Sequence, residues 1–114
     1  MEKIVIKIAE AFSKMTGPRL INEGEYSGEA FYLDVLKPKY QEARKLGVVL
    51  VVDLDGTYGY GTSFLEEAFG GLVRDGFKLV LDNIEIISEE EEYLIEDIKK
   101  YIIESEDQLK WRVS

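Results

Sequence analysis

The chain has 114 residues, 46% of them hydrophobic, which is the size of one domain with enough apolar material for a core. It has no cysteine and no histidine, so disulfides, thiolate zinc sites and every Ser–His or Cys–His catalytic pair are excluded, and any acid–base chemistry falls to carboxylates, Lys or Tyr. A formal charge of −9 disfavours duplex nucleic acid and suits basic or neutral protein partners, and no apolar run approaches the roughly 18–20 residues a membrane span needs.

Met1 to Ile8 alternates charge and hydrophobe and lacks the apolar run of a signal peptide, so the expected location is the cytoplasm. Ile4, Ile6 and Ile8 alternate with Val5 and Lys7, which predicts a strand. A short helix is expected over Ala9 to Met15, broken by Thr16-Gly17-Pro18, and a short second strand at Leu20-Ile21. Ser27 stands where an N-cap belongs, with Glu29 in the first turn. The stripe Ala30, Phe31, Leu33, Val35, Leu36, Tyr40, Ala43 and Leu46 predicts helix, interrupted at Pro38 by a kink or a junction of two helices, with Gly47 closing it.

Val48 to Val52 is an unbroken aliphatic run, expected as a central strand ending in Asp53-Leu54-Asp55-Gly56. A glycine-rich loop leads to a helix over about Phe64 to Asp75, ended by Gly76. Leu79 to Leu81 and Ile84 to Ile87 are strand candidates around an Asp82-Asn83 turn. Ser88 with Glu91 has the spacing of a capping box for a last helix, with Leu94, Ile98, Tyr101 and Ile102 as its buried stripe. Strands alternating with helices across residues 1–114 predict a single α/β domain: a mixed sheet of four or five strands with three to four helices packed on it.

Functional signals concentrate in Asp53 to Glu67, because a loop leaving a central strand and opening a helix is where α/β proteins place ligands. Asp53-Leu54-Asp55-Gly56-Thr57 matches the D-x-D-G-T nucleophile motif of haloacid-dehalogenase-type phosphatases. On that resemblance Asp53 attacks phosphorus, Asp55 is the acid–base, and both help hold magnesium. Only 57 residues follow Thr57, and Asp82-Asn83 is a poor stand-in for the later acidic pair. Gly56 to Ser63 has the glycine spacing of a phosphate-binding loop, but Thr62 stands in place of its lysine. These motifs leave two alternatives open: a small magnesium-dependent phosphatase, and a nucleotide-binding regulatory domain.

A third pattern spans more of the chain. Asp53-Leu54-Asp55-Gly56 sits where STAS domains, named for sulfate transporters and anti-sigma factor antagonists, carry D-L-S-G, and Gly61-Thr62-Ser63 sits where they carry D-S-S. Gly17-Pro18-Arg19, Ser27 to Phe31 and the block Asp53 to Arg74, above all Ser63 to Leu72, resemble a STAS-like family of unknown function. The resemblance implies a STAS-like fold and a non-enzymatic protein-interaction or regulatory module, with no catalytic residue, metal or other cofactor. In anti-sigma factor antagonists the second Ser of D-S-S is phosphorylated by a partner kinase that is also the anti-sigma factor. Ser63 falls on that position and Thr62 beside it. The implied partner is a histidine-kinase-like ATPase of the anti-sigma type. The chain departs from the pattern at Gly61, which replaces Asp, and at Phe64, which replaces Gly and crowds the approach to Ser63.

Other residues complete the candidate surface. Ser63 followed by Glu66 has capping-box spacing, so Ser63 reads either as a cap alone or as a cap within a functional surface. A phosphate there would meet free backbone N–H groups and the positive end of the helix. Tyr58 and Tyr60, alternating with Gly59 and Gly61, read equally as exposed contact residues or as rings packed beside the central strand. Tyr58, Tyr60, Gly61, Phe64 and Glu67 form the expected partner-binding set. Arg19 is the candidate for an anion contact near Ser63, with a surface salt bridge as its alternative. Gly70-Gly71 inside a helix calls for a close approach by another backbone.

Overall fold

The computed structural model describes residues 2–113. Strand β1 (Ile4–Lys7) runs directly into a single helical turn, α1 (Ile8–Ala11). The turn stops short of Met15 because the Ser13 side chain takes over: its Oγ accepts from Met15 N–H at 2.9 Å and donates to the Met15 carbonyl at 2.9 Å. Leu20-Ile21 is not a strand. Glu23 accepts from Leu20 N–H at 2.9 Å and Glu29 from Ile21 N–H at 2.8 Å, so carboxylates take donors that a ladder would need, and Ile21–Glu23 closes into a 3₁₀ turn.

Ser27 caps α2 (Gly28–Phe31) as its sequence position predicts, accepting from Ala30 N–H at 3.0 Å. The expected junction of two helices falls at Pro38. A turn of π-helix (Tyr32–Leu36) precedes α3 (Lys37–Leu46), and Pro38 lies in the first turn of α3, where its missing N–H and its ring are accommodated by the wider turn. Gly47 ends α3 in the left-handed region (φ 70°), with Val48 N–H reaching back to Ala43 at 3.0 Å.

Strands β2 (Leu50–Asp53) and β3 (Ile84–Ile87) complete a sheet of order β1-β2-β3, all parallel. The expected mixed sheet of four or five strands is therefore corrected to three parallel strands among the described residues. The missing strands have physical causes. Residues 20–21 are drawn into the carboxylate-held turn. Leu79 adopts a left-handed conformation (φ 56°) and starts a helical turn, α5 (Val80–Asn83), held by Asn83 Nδ2 donating to the Leu79 carbonyl at 2.8 Å. Helices α4 (Thr62–Arg74) and α6 (Tyr93–Val113) complete the fold.

Each crossover moves one strand along in the same direction, which places the connecting helices on one face of the sheet. Ile6, Leu50 and Val52, with Ile4, Ile84 and Ile86, face the helical layer, and the core between them holds Phe31, Leu36, Tyr40, Phe64, Leu65, Phe69, Leu72, Ile98 and Ile102. The other face carries Val5, Val51 and Glu85 in register, and Lys3 pairs with Glu85 at 3.3 Å across the two outer strands. No helix of the described residues is long and apolar enough to cross a membrane.

The glycines set how closely the helices approach. A Cβ on Gly28 would lie 2.5 Å from the Phe64 carbonyl oxygen, so α2 rests on the backbone at the start of α4. Gly70 and Gly71 answer to side chains rather than to another backbone: a Cβ on Gly71 would meet the Tyr32 ring at 3.0 Å, and one on Gly70 would meet Ser105 Oγ of α6 at 2.7 Å.

Candidate functional site

The loop from Leu54 to Gly61 is pinned on every side. Tyr58 N–H donates to the Lys14 carbonyl at 2.9 Å, Thr16 Oγ1 to the Gly59 carbonyl at 2.6 Å, and the Tyr60 hydroxyl to the Leu54 carbonyl at 2.7 Å. Gly56 and Gly59 hold left-handed backbone (φ 93° and 135°), which lets the chain turn out of β2 and back toward α4.

The two tyrosines divide the alternatives between them. Tyr58 is 81% exposed. Tyr60 packs inward with its ring 5.9 Å from that of Phe64, and its hydroxyl pKa is pushed up to about 12, by burial first and then by Asp53, Asp55 and Glu90 nearby. Phe64 itself is fully buried and stacks on Phe31 at 5.8 Å. It is therefore a core residue, contrary to its place in the expected partner-binding set, and it does not crowd Ser63.

Gly61 occupies the N-cap of α4 and has no side chain to cap it. Leu65 N–H makes the first helical bond, to the Gly61 carbonyl at 3.3 Å, so the N–H groups of Thr62, Ser63 and Phe64 precede the ladder with no side-chain cap. Thr62 and Ser63 are exposed. The expected Ser63–Glu66 capping box does not form, because Glu66 is engaged elsewhere. Arg19 Nη1 bonds Glu66 Oε1 and reaches Glu67 Oε1 at 3.2 Å, while Arg74 Nη1 bonds Glu66 Oε2 at 2.8 Å. Burial alone would raise the Glu66 carboxyl, but hydrogen bonds and charge from Arg19 and Arg74 outweigh it and hold the group below its ordinary range. Arg19 is thus a salt-bridge residue on this face, and Glu67 shares the same cluster.

The D-x-D-G-T carboxylates have structural partners. Asp53 Oδ1 accepts from Asp55 N–H at 2.9 Å. Asp55 Oδ2 and Oδ1 accept from the N–H groups of Glu89 and Glu90 at 3.1 and 3.0 Å, and Glu90 Oε1 accepts from Gly56 N–H at 2.8 Å. The pair tethers the end of β2 to the turn ahead of α6. No group of three or more carboxylates converges as a cation site among the described residues. Ser88, expected to cap α6, instead donates its Oγ proton to the Glu91 carbonyl at 2.7 Å, and α6 starts five residues later.

Sequence reasoning missed two members of the exposed surface. Met15 is 64% and Tyr26 48% exposed. Lys14 and Thr16 bind the Tyr58 loop, and Gly17 N–H donates to the Tyr26 carbonyl at 2.8 Å, so Met15 sits between Tyr58 and Tyr26. Tyr26 is held with a left-handed backbone (φ 54°) and its ring is edge-on to Phe12 at 5.8 Å. Their sequence signal is the placing of large apolar residues in segments expected as breaks or loops. Met15, Tyr26 and Tyr58 are exposed on segments that these backbone bonds tie together, and the Tyr58 loop leads into the uncapped start of α4.

Neither curated proteins nor solved structures gave a match to this chain. A family description, STAS-like domain of unknown function, matches residues 27–94, which include α2, β2, the Tyr58 loop, α4 and β3. The chain belongs to that family of STAS-like domains.

Proposed function

We propose that the chain is a non-enzymatic partner-switching module resembling the anti-sigma factor antagonists, docking through Met15, Tyr26 and Tyr58 and switched by phosphorylation of Ser63. The observation that carries the reading is the exposed, uncapped start of α4 at the end of the loop that displays Tyr58, a loop bonded to the backbone at Lys14 and to Thr16 on either side of exposed Met15. Tyrosine and methionine give contact area at low entropic cost, and the backbone bonds fixing this loop reduce what must be ordered on docking. A phosphate on Ser63 would meet the N–H groups of the first turn, which no side chain caps, and the positive end of α4. It would also bring about two negative charges to the docking surface and repel an acidic partner. Membership of the STAS-like family supports a histidine-kinase-like ATPase of the anti-sigma type as the partner.

The test is affinity capture from the native cell with wild type, Ser63→Asp and Tyr58→Ala baits, together with phosphopeptide mapping of the wild-type bait. The reading expects an ATPase-type partner on the wild type, lost with both variants, and phosphate on Ser63. Equal capture by all three baits with Ser63 unmodified would leave Ser63 as an ordinary helix-start residue and end the proposal.

A further inference from the structure

Helix α4 ends at Arg74, and the chain leaves it through Gly76 (φ 96°) and Leu79 (φ 56°), both at positive φ. Glycine adopts that backbone freely, whereas a leucine does so at a cost. The Leu79 side chain held there is 66% exposed. Helix α6 runs past this turn to Val113. Between them lies a groove of about 480 Å³ whose apolar lining includes Val73, Phe77, Leu79, Ile103 and Leu109. Ile103 is exposed as well, and it lies off the Leu94, Ile98 and Ile102 stripe that α6 gives to the core. Helix α6 thus has two working faces, one buried in the core and one lining this groove.

Four charged residues line the same groove, Lys78 and Lys110 against Glu106 and Asp107. None of the four forms an ion pair among the described residues. Their charges cancel, on a chain whose formal charge is −9. Two copies of so acidic a chain repel over most of their surface, and a charge-balanced patch with apolar lining is where that repulsion is absent. The spacing adds a direction. Ile103, Glu106, Asp107 and Lys110 stand at i, i+3, i+4 and i+7, so they share one face of α6. In an antiparallel pair of such helices crossing level with Gln108, Glu106 of each lies beside Lys110 of the other, because the two positions are equally far from the crossing. A helix face that carries both signs in this order complements its own copy under a two-fold axis.

We propose that this groove is the contact between two copies of the chain, related by a two-fold axis with their α6 helices antiparallel. Leu79 and Ile103 of each copy are covered by the other. Glu106 and Asp107 of each meet Lys110 and Lys78 of the other. Apolar burial supplies the binding, and the crossed charges fix the register. This surface uses none of the residues around Ser63 and stands whether or not that site is a switch.

The experiment is sedimentation equilibrium of the full chain over a concentration series, with circular dichroism to confirm that each variant keeps its helix content. The proposal expects a reversible dimer. Lys110→Glu sets acids opposite acids and should weaken it by at least about tenfold, and the double variant Glu106→Lys, Lys110→Glu should restore it. Lys39→Glu, the same change of net charge on α3, should leave it near wild-type strength. Leu79→Gly removes the exposed side chain and suits the positive φ, so the fold is kept while the dimer weakens. A chain that stays monomeric up to about 1 mM overturns the proposal and leaves the groove to a different protein or a small apolar ligand. A dimer that Lys110→Glu and Leu79→Gly leave at wild-type strength overturns it as well, because the copies then meet elsewhere. So does a dimer that the double variant fails to restore.

Discussion

Asp55 and Glu90 hold each other's backbone: the Asp55 carboxylate accepts from Glu90 N–H at 3.0 Å, and Glu90 Oε1 accepts from Gly56 N–H, next to Asp55, at 2.8 Å. This reciprocal clasp joins the end of the central strand to the turn before the last helix, across 35 positions of sequence. It changes the meaning of the D-x-D-G-T letters, because a carboxylate that accepts two N–H groups is spent on positioning. Asp55→Ala is expected to destabilise the fold by about 1–2 kcal/mol, the cost of two charge-assisted bonds discounted for partial exposure. Urea unfolding checks it. A variant more stable than wild type would instead mark Asp55 as a strained functional carboxylate.

The clasp also shows where the sequence is legible. β1, β2, β3 and α4 follow from apolar periodicity, and Ser27 and Gly47 act as cap and terminator as their positions suggest. Errors arise where distant groups claim local backbone or side chains. Leu20-Ile21 reads as a strand until Glu23 and Glu29 take its N–H groups, and Ser63–Glu66 reads as a capping box until Arg19 and Arg74 take the carboxylate. Leu79 to Leu81 has strand composition, yet Leu79 turns left-handed and Asn83 seals the turn. At the candidate site, the loop from β2 into α4 follows from a local motif, which also sets Ser63 in the first helical turn. Phe64 lies on the apolar stripe of its helix with Leu65, Ala68, Phe69, Leu72 and Val73, and that stripe, not the partner-binding set, describes it; the exposure of Met15 and Tyr26 depends on packing between segments that the sequence keeps apart.

The division between Tyr58 and Tyr60 gives a paired expectation. Tyr58→Ala removes an exposed ring and is expected to change stability by less than about 0.5 kcal/mol. Tyr60→Phe removes the hydrogen bond to the Leu54 carbonyl and is expected to cost about 1 kcal/mol. Thermal melts measure both, and partner capture by the two variants separates surface from core: capture falls with Tyr58→Ala and survives Tyr60→Phe.

Acid should weaken the fold through two carboxylates. The Asp75 carboxyl is held low by the Tyr32 hydroxyl bonded to it, against a smaller opposing effect of burial, and then by Lys37 at 3.0 Å. Glu66 is held low by Arg19 and Arg74 despite burial. A folded-state pKa below the unfolded one contributes stability above the unfolded value, near 4 for these groups, and the contribution is lost as pH falls through the folded value. Unfolding free energy is therefore expected to drop as pH falls below about 4. The Glu66→Gln, Asp75→Asn double variant should start less stable and show a shallower drop. An identical slope in the two proteins would remove these ion pairs as the cause.

Tyr40 runs against the usual satisfaction of buried polar groups. It is buried against Phe77, with ring centres 5.1 Å apart, and its hydroxyl has no hydrogen-bond partner among the described residues; the Asn83 amide is near enough to influence it but not in bonding geometry. Phe at this position keeps the ring packing and removes an unpaired hydroxyl. Tyr40→Phe is therefore expected to be neutral to stabilising, by up to about 1 kcal/mol, in the same urea assay. A loss of more than that would show that the hydroxyl is satisfied in solution.

The glycines in and around α4 should rank by what surrounds them rather than by helix propensity. Ala is the better helix former by about 1 kcal/mol, so propensity alone favours substitution at Gly70 and Gly71. Contact reverses this at Gly71, where a Cβ would press on the Tyr32 ring at 3.0 Å and displace the hydroxyl that holds Asp75. At Gly28 the obstacle is the Phe64 carbonyl at 2.5 Å, and backbone cannot rotate away as a side chain can. Gly61 has nothing within 4 Å and an ordinary φ of −82°, so Ala fits there without strain. The expected order of destabilisation is Gly28→Ala, about 2–4 kcal/mol, then Gly71→Ala, about 1 kcal/mol net, then Gly61→Ala, near zero. Urea titration of the three variants tests the order. If Gly28→Ala were tolerated, α2 would have to move off the start of α4, and the loops that display Tyr26 and Tyr58 would lose their common support.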